Sequence, residues 1–481
     1  MALIIAGERS GVGKTTVTLA LLASLKRRNL NVQSFKVGPD YIDPMFHQYV
    51  TGLPCRNLDP VLTNQSYPQQ CFARHTQGVE YALVEGVMGL FDGVKGYGEE
   101  SKPRTIHEAS TAHIADLLNL PVALVIDCSR LSGSVAAIAH GYRSFDPRIK
   151  LAGVVLNRVG SDRHLELLKD ALEPLNLPIV GVLRRQDDIT IGDRHLGLVP
   201  TAELPQLDII IDRLAHLGDT CFDWEQLLPL LRCKEKLQIQ NPKSSLAKVG
   251  IVTGTAKTPT SRKIQNPKSK IAIARDRAFS FYYADNLDLL EELGAQLVSW
   301  SPLTDPGIPA GVQGLYFGGG FPEIFAQELS SNWSALNAVR SAIRSGMPTY
   351  AECGGLMYLC EQIVDFNGQS WPMVGVLPTT AVMGERLTLG YRQATALQDT
   401  PLLPAGATVW GHEFHRSSLS KAPATPLFEV RGYNSQSVPT QEGWQLQQVH
   451  ASYVHLHFAG SPQIPSRFLQ HCSLHCQGSY A

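Results

Sequence analysis

The residues around Cys353 could carry out nucleophilic chemistry on an acyl group. An apolar approach with Met347, Tyr350 and Ala351 leads to the cysteine, two glycines follow at once, and a helical pattern comes next. This order predicts a nucleophile elbow, in which a strand turns sharply into a helix and the glycines let backbone N–H groups surround an oxyanion. We expect the N-terminus of that helix to lower the pKa of the Cys353 thiol.

A thiol nucleophile needs a base, and a histidine is expected in that role. His455 and His457 lie two positions apart, so an extended chain places both on one side and spacing does not choose between them. Another histidine-rich run occupies residues 410–415. A run of three glycines at 318–320 precedes the elbow and suits an oxyanion hole. The glycines expected around the oxyanion are Gly319, Gly320 and Gly354.

A second kind of chemistry is indicated by the glycine-rich segment 11–16, which follows an apolar run and opens a helical pattern. Its backbone N–H groups would surround phosphate oxygens, Lys14 would reach the β and γ phosphates, and the Thr15 hydroxyl would help to hold Mg²⁺. Glu8 replaces the first glycine of the strict pattern, and Arg9 stands where MinD-like proteins have a signature lysine. The loop resembles that of dethiobiotin synthetase and MinD-like ATPases. The expected ATP-binding residues are Gly11, Gly13, Lys14, Thr15, Thr16 and Asn157, the last through its amide on the base.

Four carboxylates follow predicted strands of the same domain. Asp40 and Asp43 share a proline-flanked loop, Glu85 ends a strand in the manner of a Walker-B acid, and Asp92 lies further along that loop. Mg²⁺ is usually held by one or two carboxylates together with nucleotide phosphates, so four acids exceed that need. We predict that Thr15, Asp40 and Glu85 hold the metal. We predict that Asp40, Asp43, Glu85 and Asp92 position and activate a carboxylate of a second substrate.

The elements that must position these residues are visible as apolar runs. The first 230 residues or so repeat a short apolar run, a turn and a helical pattern. Runs that are apolar throughout predict a parallel sheet buried on both faces, and ligands of such sheets lie at the carboxyl ends of strands. The runs are 3–6, 32–37, 81–84, 122–126, 151–156 and 179–183.

The pattern divides the chain into two α/β domains. Residues 1–232 form the predicted ATP-binding domain, and 233–270 a polar linker in which Ile-Gln-Asn-Pro-Lys-Ser occurs at both 239–244 and 264–269. Residues 271–460 form the second domain, with strands expected at 271–274 and 314–317 and a helix at 287–293. Residues 461–481 are predicted to be a tail.

Composition excludes several classes of protein. The chain has 481 residues, too many for one ordinary core, and its 44% apolar and 18% charged residues are typical of a globular protein. A net charge of −1 gives no reason to expect nucleic acid. The nine cysteines show no metal-binding spacing, and no apolar run approaches membrane-spanning length. We expect a cytoplasmic protein with free thiols, and a homo-oligomer stays open.

From residue 2 to 459 the chain resembles the cobyrinate a,c-diamide synthase family of cobalamin biosynthesis. The segments 276–286 and 412–415 are the most specific, because a generic P-loop protein or amidotransferase lacks both. The resemblance implies an α/β fold with a dethiobiotin synthetase/MinD-like P-loop domain and a class I glutamine amidotransferase-like (flavodoxin-like) domain. The other matching stretches are 10–16, 36–43, 85–93, 318–323, 352–355 and 452–458.

The resemblance also implies a reaction. Cys353 would release ammonia from glutamine, MgATP would phosphorylate a substrate carboxylate, and ammonia would displace the phosphate, on the a and c acetates of a corrin-type polycarboxylate. Alignment with the family's Tyr-x-His motif makes His455 the base. Many class I amidotransferases continue His-Pro-Glu, whereas Leu456 and His457 follow here, so we expect a dyad. Ammonia is expected to pass between the domains.

Three related activities and one unrelated class stay open. Hydrogenobyrinate and nickel-sirohydrochlorin a,c-diamide synthases differ in the macrocycle and its metal, which side-chain patterns do not reveal. A cobyric acid synthase is expected to lack segment 276–286. The unrelated class is a switch ATPase of the MinD or partition kind with an inert C-terminal domain, against which Arg9 and the intact elbow argue.

Overall fold

The structure is a computed structural model. It describes residues 2–94, 105–185, 193–194, 197–198, 200–204, 206–233, 269–433 and 437–478. Apart from its ends, the predicted linker with its repeated hexapeptide lies outside the described residues, so its boundaries stay a prediction.

A seven-stranded parallel sheet organises the first half of the chain, in the order β3-β2-β4-β1-β5-β6-β7. The strands are β1 Leu3–Gly7, β2 Val32–Val37, β3 Arg56–Leu58, β4 Tyr81–Glu85, β5 Val122–Asp127, β6 Leu151–Val159 and β7 Ile179–Arg184, followed by a small pair, β8 Asp193–Arg194 and β9 Gly197–Leu198. The helices are α1 Lys14–Arg27, α2 Ile42–Thr51, α3 Tyr67–His75, α4 Thr111–Leu118, α5 Ser134–Phe145, α6 Asp162–Leu172, α7 Leu207–Thr220 and α8 Trp224–Leu231.

The sheet confirms the six predicted apolar strands and explains their composition. Leu3 and Ile5 of β1 pack into one core with helices α1, α2, α7 and α8, whereas Ile4 and Ala6 pack into the core on the opposite face. Both faces of the sheet are therefore covered. A strand between two cores is buried on both sides, so its residues are apolar throughout. The short edge strand β3 was not predicted, because three residues are too few to display a period.

The second half contains two sheets. The strands are β10 Lys270–Ala274, β11 Gln296–Trp300, β12 Gly314–Phe317, β13 Thr349–Glu352, β14 Cys360–Val364, β15 Ser370–Pro372, β16 Leu377–Ala396, β17 Thr408–Leu419, β18 Phe428–Gly432, β19 Thr440–Glu442, β20 Trp444–Leu446, β21 Val449–Ser452 and β22 His455–Leu456. The helices are α9 Ala284–Glu292, α10 Ala326–Ser331, α11 Trp333–Arg344, α12 Gly354–Leu359 and α13 Gln463–Gly478. No helix in the described ranges is long and apolar enough to cross a membrane.

One sheet of this half has the order β11-β10-β12-β13-β21-β20 and is parallel except for β20. The other has the order β15-β14-β16-β17-β22, with β18 also paired to β16, and its centre is the long antiparallel pair β16–β17. The predicted tail, residues 461–481, contains helix α13. Its residues Ile464, Phe468 and Cys472 are buried in the same core as Tyr316 and Tyr350.

The two halves meet along a buried aromatic interface. Tyr41 of the first domain stacks on Phe281 and contacts Tyr283, with ring centroids 5.4 and 4.5 Å away. The Tyr391 hydroxyl on β16 donates to Asp59 at 2.7 Å. These contacts set the carboxyl ends of the parallel strands of the first domain against the second domain.

Candidate active site

The loop between β1 and α1 has the geometry of a phosphate cradle. Gly11 and Gly13 have φ angles of 76° and 96°, a left-handed conformation that favours glycine. Lys14 begins α1, and its ammonium donates to the Met88 carbonyl at 2.6 Å. Burial, with Lys36 nearby, lowers the pKa of Lys14 to about 8. A phosphate near this ammonium would meet a buried cation with few competing partners.

Asn157 braces the loop. Its amide donates to the Val12 carbonyl at 2.8 Å and accepts from the backbone N–H of Arg158. One amide hydrogen is left for a ligand, so a contact with the nucleotide base stays a prediction. Sequence reasoning did not foresee the bracing role, because it depends on which strand lies beside the loop.

Lys36 lies at the centre of three predicted carboxylates. Its ammonium is 2.5 Å from Asp43, 3.0 Å from Glu85 and 3.7 Å from Asp40. The second oxygen of Glu85 is 2.7 Å from Nε2 of His47, and both side chains are fully buried. Residues on α2 and the ends of β2 and β4 thus form one charge cluster. No local pattern indicated that Lys36 and His47 would pair with the acids.

The cluster shifts the protonation of its members. Although burial opposes it, Asp43 and Glu85 hold the pKa of Lys36 well above its usual range. Although burial favours the neutral acid, Lys36 and His47 hold the pKa of Glu85 below its usual range. Burial and the neighbouring Asp40 raise the pKa of Asp43 to about 8. Lys36 and His47 therefore favour the anionic form of Glu85.

The donor set fits a Mg²⁺ ion. The Thr15 hydroxyl is 2.7 Å from Glu85 and 3.4 Å from Asp43, so one hydroxyl and two carboxylates converge beside the phosphate loop. Mg²⁺ prefers such oxygen ligands and completes its shell with water and nucleotide phosphates. Oδ1 of Asp40 accepts from the N–H groups of Ile42 and Asp43 at the start of α2, and the role of Asp40 as a metal ligand stays a prediction. Its Oδ2 is the oxygen that faces Lys36.

Asp92 has a local structural contact. Its carboxylate accepts from the Gly89 backbone N–H at 2.8 Å and closes a turn. It is not among the residues that line the cavity beside the phosphate loop. A role in activating the substrate carboxylate stays a prediction for Asp92.

A cavity of about 1410 Å³ opens over the loop and the carboxylates. Pockets for one small ligand usually measure roughly 300–1,000 Å³, so this one has room for a nucleotide and a second large substrate. The first domain contributes Lys14, Thr15, Lys36, Asp40, Asp43, Glu85, Asn157 and four arginines, Arg130, Arg158, Arg184 and Arg185. The second domain contributes Leu389, Tyr391, Arg392, His412, Phe414 and Tyr433.

The predicted elbow is present at Cys353. Strand β13 ends at Glu352, helix α12 begins at Gly354, and Cys353 between them has φ 46° and ψ −100°. A positive φ in a residue other than glycine is strained and is common at catalytic turns. The Gly354 N–H at the start of the helix lowers the pKa of the Cys353 thiol, as expected, but it is not the largest effect. Burial, with Glu323 nearby, raises the pKa of the Cys353 thiol well above its usual range and outweighs the Gly354 N–H.

The glycine loop after β12 packs tightly against the elbow. A Cβ atom on Gly354 would lie 3.1 Å from the backbone nitrogen of Gly320. A Cβ atom on Gly319 would lie 2.7 Å from Cε1 of His455. Gly320 therefore lies close to Gly354, and Gly319 lies close to the predicted base, in positions where a side chain would collide with these neighbours.

His455 follows the strand beside the elbow. Strands β13 and β21 are parallel neighbours with Glu352 opposite Ser452, so Cys353 and the segment leading to His455 emerge at one edge. The His455 ring is 5.1 Å from His412 and 5.2 Å from Tyr41, measured between centroids. Burial and the adjacent His455 lower the pKa of His412 well below its usual range.

Two other histidines lie close by. The His457 ring contacts Tyr67 and Tyr283 at the domain interface, and burial lowers its pKa to about 4. His415 stacks on Tyr453 with centroids 3.9 Å apart, and its Nε2 is 3.8 Å from Glu413. The spacing of the histidines did not decide which of them is the base. The close approach of Gly319 to the His455 ring favours His455.

Family models match both halves of the chain. Residues 3–199 match the CobQ/CobB/MinD/ParA nucleotide binding domain, and residues 270–463 match the CobB/CobQ-like glutamine amidotransferase domain. Among solved structures, one described as a glutamine amidotransferase covers 42% of this chain and 98% of its own, with 17% identity and a TM-score of 0.30.

Curated relatives extend over nearly the whole chain. A cobyrinate a,c-diamide synthase of Synechococcus sp. is 60% identical over 98% of both chains. One of Synechocystis sp. is 51% identical over 98% of this chain and 93% of its own. A hydrogenobyrinate a,c-diamide synthase of Streptomyces coelicolor is 41% identical over 98% of this chain and 97% of its own. These matches confirm the resemblance drawn from the sequence, and the chain belongs to the cobyrinate a,c-diamide synthase family.

Proposed function

We propose that the chain is a carbon–nitrogen ligase that amidates the a and c acetate carboxylates of cobyrinate, with ATP as activator and glutamine as nitrogen donor. The observation that carries the proposal is the joining of two sites, a phosphate loop with carboxylates and a cysteine elbow, across one buried interface. Full-length similarity to cobyrinate a,c-diamide synthases supports the choice of substrate.

The glutaminase half of the reaction begins at Cys353. Because burial keeps the thiol protonated, the sulfur needs His455 to accept its proton as it attacks the side-chain amide carbon of glutamine. The backbone N–H groups around Gly319, Gly320 and Gly354 then stabilise the oxyanion. Collapse of the adduct releases ammonia, and water hydrolyses the thioester to glutamate.

The ligase half begins with a substrate carboxylate, which does not react with ammonia until a leaving group is attached. Its oxygen attacks the γ phosphorus of ATP and displaces ADP, while Lys14 and the loop N–H groups stabilise the transferred phosphoryl group. Ammonia then attacks the acyl phosphate and displaces phosphate. Thr15, Glu85 and Asp43 would hold a Mg²⁺ ion, which would neutralise charge at the phosphates when bound.

We assign the macrocycle to the part of the cavity between the two domains. On the β16–β17 pair, Leu389 lies opposite Phe414 and Tyr391 opposite His412, so these side chains form one face, and that face lines the cavity. Such an apolar and aromatic face suits the flat surface of a tetrapyrrole. The arginines of the lining suit its carboxylates, since guanidinium groups bind carboxylates in two-point geometry.

Ammonia would travel between the sites past the interface aromatics. Tyr41 and His412 contact His455 on one side and line the cavity on the other. The lowered pKa of His412 leaves its imidazole neutral near pH 7, and a neutral ring does not repel or bind ammonia as an ion would. Ammonia kept away from water also stays unprotonated, the form that attacks the acyl phosphate.

A second candidate substrate is hydrogenobyrinate. The hydrogenobyrinate enzyme of Streptomyces coelicolor matches the chain at 41% identity, lower than the 60% of the Synechococcus enzyme. The two substrates differ in the central cobalt. Incubating the purified chain with each macrocycle and counting amides by mass separates them, because only the true substrate gains two amides at comparable enzyme concentration.

Two variants test the division of labour. Cys353→Ala should abolish glutamine-dependent amidation and retain amidation from ammonium salts, because the nucleophile acts only in ammonia release. Lys14→Ala should abolish amidation from both nitrogen sources. Loss of both activities in Cys353→Ala, with unchanged thermal unfolding, would contradict separable sites. If the chain hydrolysed ATP but never glutamine, the switch-ATPase alternative would be favoured.

We propose that the reaction takes place in the cytoplasm.

A further inference from the structure

Glu352, the residue immediately before the nucleophile, directs its carboxylate at the proposed base. Its Oε2 lies 3.7 Å from Nδ1 of His455, and neither side chain is more than 2% exposed. Nδ1 of His455 is buried and has no hydrogen-bond partner within the described residues. A buried imidazole that gains a proton during a reaction needs a negative charge nearby, since water does not reach it.

Three groups hold this carboxylate in place. The backbone N–H of Leu456 donates to Oε1 at 3.0 Å, the Tyr350 hydroxyl donates to the same oxygen, and the Tyr316 hydroxyl donates to Oε2 at 3.4 Å. Leu456 directly follows His455, so the first contact also fixes the backbone that carries the ring. The oxygen that faces the ring is Oε2, which has the longer of these contacts.

We propose that Glu352 is the positioning residue of His455 in the glutaminase reaction. In many class I amidotransferases the acid follows the histidine by two positions, but that position here holds His457, whose ring faces Tyr67 and Tyr283. Glu352 keeps the proton of the neutral ring on Nδ1, which leaves Nε2 able to accept a proton. Its charge also stabilises the imidazolium once the proton has moved.

Each bond and proton of the reaction is accounted for without a change at Glu352. The Cys353 thiol gives its proton to Nε2 of His455 as Sγ bonds to the amide carbon of glutamine. That proton passes to the leaving nitrogen as the C–N bond breaks, and ammonia departs. Water adds to the thioester, glutamate leaves and the thiol is restored. The inference therefore rests on the proposed roles of Cys353 and His455.

Glu352→Gln in the full chain is the direct test, because the amide keeps the size of the side chain and loses its charge. We expect the glutaminase kcat to fall on the order of 10²-fold, while the KM for glutamine and the ammonia-dependent amidation rate stay within about twofold. Glu352→Asp retains a charge and should recover part of the lost kcat.

Glu442→Gln is the matched control. Burial raises the pKa of Glu442 to about 8, and its carboxyl group contacts Ser452 and Tyr453 rather than the His455 ring. It is thus a second acid, half-buried, beside strand β21, and its replacement should leave the glutaminase kcat unchanged.

Two results would overturn the proposal. One is a wild-type glutaminase kcat in Glu352→Gln. The other is loss of both glutamine- and ammonia-dependent amidation in both Glu352 variants, which would make the residue structural. His455→Ala separates the inference from its premise: adding Glu352→Gln to it should cause no further loss of glutaminase activity. Full glutaminase activity in His455→Ala would show that another group is the base.

Discussion

At the scale of single residues, the ligase site contains several buried charges, and not all of them have an oppositely charged partner in contact. Lys36 faces three carboxylates, and Glu85 is held between Lys36 and His47. Lys14 stands apart from these pairs and has mainly backbone carbonyls as partners. A buried ammonium without a carboxylate in contact loses its proton more readily than an exposed one, and an arriving phosphate reverses that tendency.

This behaviour of Lys14 gives a prediction for ATP binding. Because burial and Lys36 lower its pKa to about 8, much of the free protein holds Lys14 neutral at pH 8.5. Bound phosphate favours the charged form, so binding should take up a fraction of a proton, and affinity should fall as pH rises through 8. Calorimetry in two buffers of different ionisation enthalpy measures the uptake.

Lys14→Met is the control for that measurement. Both proteins are titrated with ATP in the absence of Mg²⁺. The binding enthalpy of the variant should no longer show the part of the buffer dependence that comes from Lys14, whereas the part that comes from the carboxylates should remain. Equal proton uptake by the variant and the parent chain would assign the uptake to another group.

At the scale of elements, the sequence predicted those strands and turns that depend on a short local pattern of residues. Six strands of the first domain, strands β10 and β12 and the elbow were predicted, since each is a short apolar run that is visible in a short window of sequence. The long pair β16–β17 was not, because its burial alternates irregularly as it faces a core, the other domain and the cavity in turn. Neither could Glu352 be paired with His455, since strand neighbours are set by topology and the acid is 103 positions from the histidine by their residue numbers.

The β16–β17 pair also supplies a prediction about the macrocycle. Leu389 is 59% exposed and lines the cavity, so a change to serine should cost little stability. We expect Leu389→Ser to raise the KM for the macrocycle on the order of fivefold, from about 1 kcal/mol of lost apolar contact, with no change in glutaminase rate. Leu387→Ser is the control, because Leu387 is exposed on the same strand but does not line the cavity. Equal effects of the two changes would argue against the assigned wall.

At the scale of the whole molecule, the interface does more than join two domains. Its ion pairs lie to one side, where Arg56 contacts Asp288 at 2.6 Å and Arg74 pairs with Glu292. Its aromatic centre lies between the two reaction sites. The Arg74–Glu292 pair is exposed, and such pairs contribute little to stability, whereas Arg56 of the other pair is buried. Closely packed rings, by contrast, exclude water. We therefore expect the ion pairs at the edge of the interface to hold the two domains together, and the aromatic rings at its centre to keep water out of the passage between the two sites.

The contribution of Tyr41 to keeping ammonia inside the protein can be measured as the ratio of glutamate released to amide formed. Tyr41→Ala removes a ring that contacts Phe281, Tyr283 and His455, which should open the passage to water and let ammonia escape. The parent chain should release about one glutamate per amide formed, as the reaction stoichiometry requires, and Tyr41→Ala several-fold more. Amidation from added ammonium should persist at a measurable rate, since the phosphate loop and the carboxylates of the ligase site keep their side chains, although Tyr41 also lines the cavity.

Arg74→Gln is the matched change at the edge of the interface. It removes an exposed interdomain ion pair but no ring from the centre, so its ratio of glutamate to amide should stay close to that of the parent chain. A raised ratio in both variants would mean that any loosening of the domains lets ammonia out. An unchanged ratio in Tyr41→Ala, with both half-reactions active, would mean that ammonia reaches the acyl phosphate by a path that does not pass Tyr41.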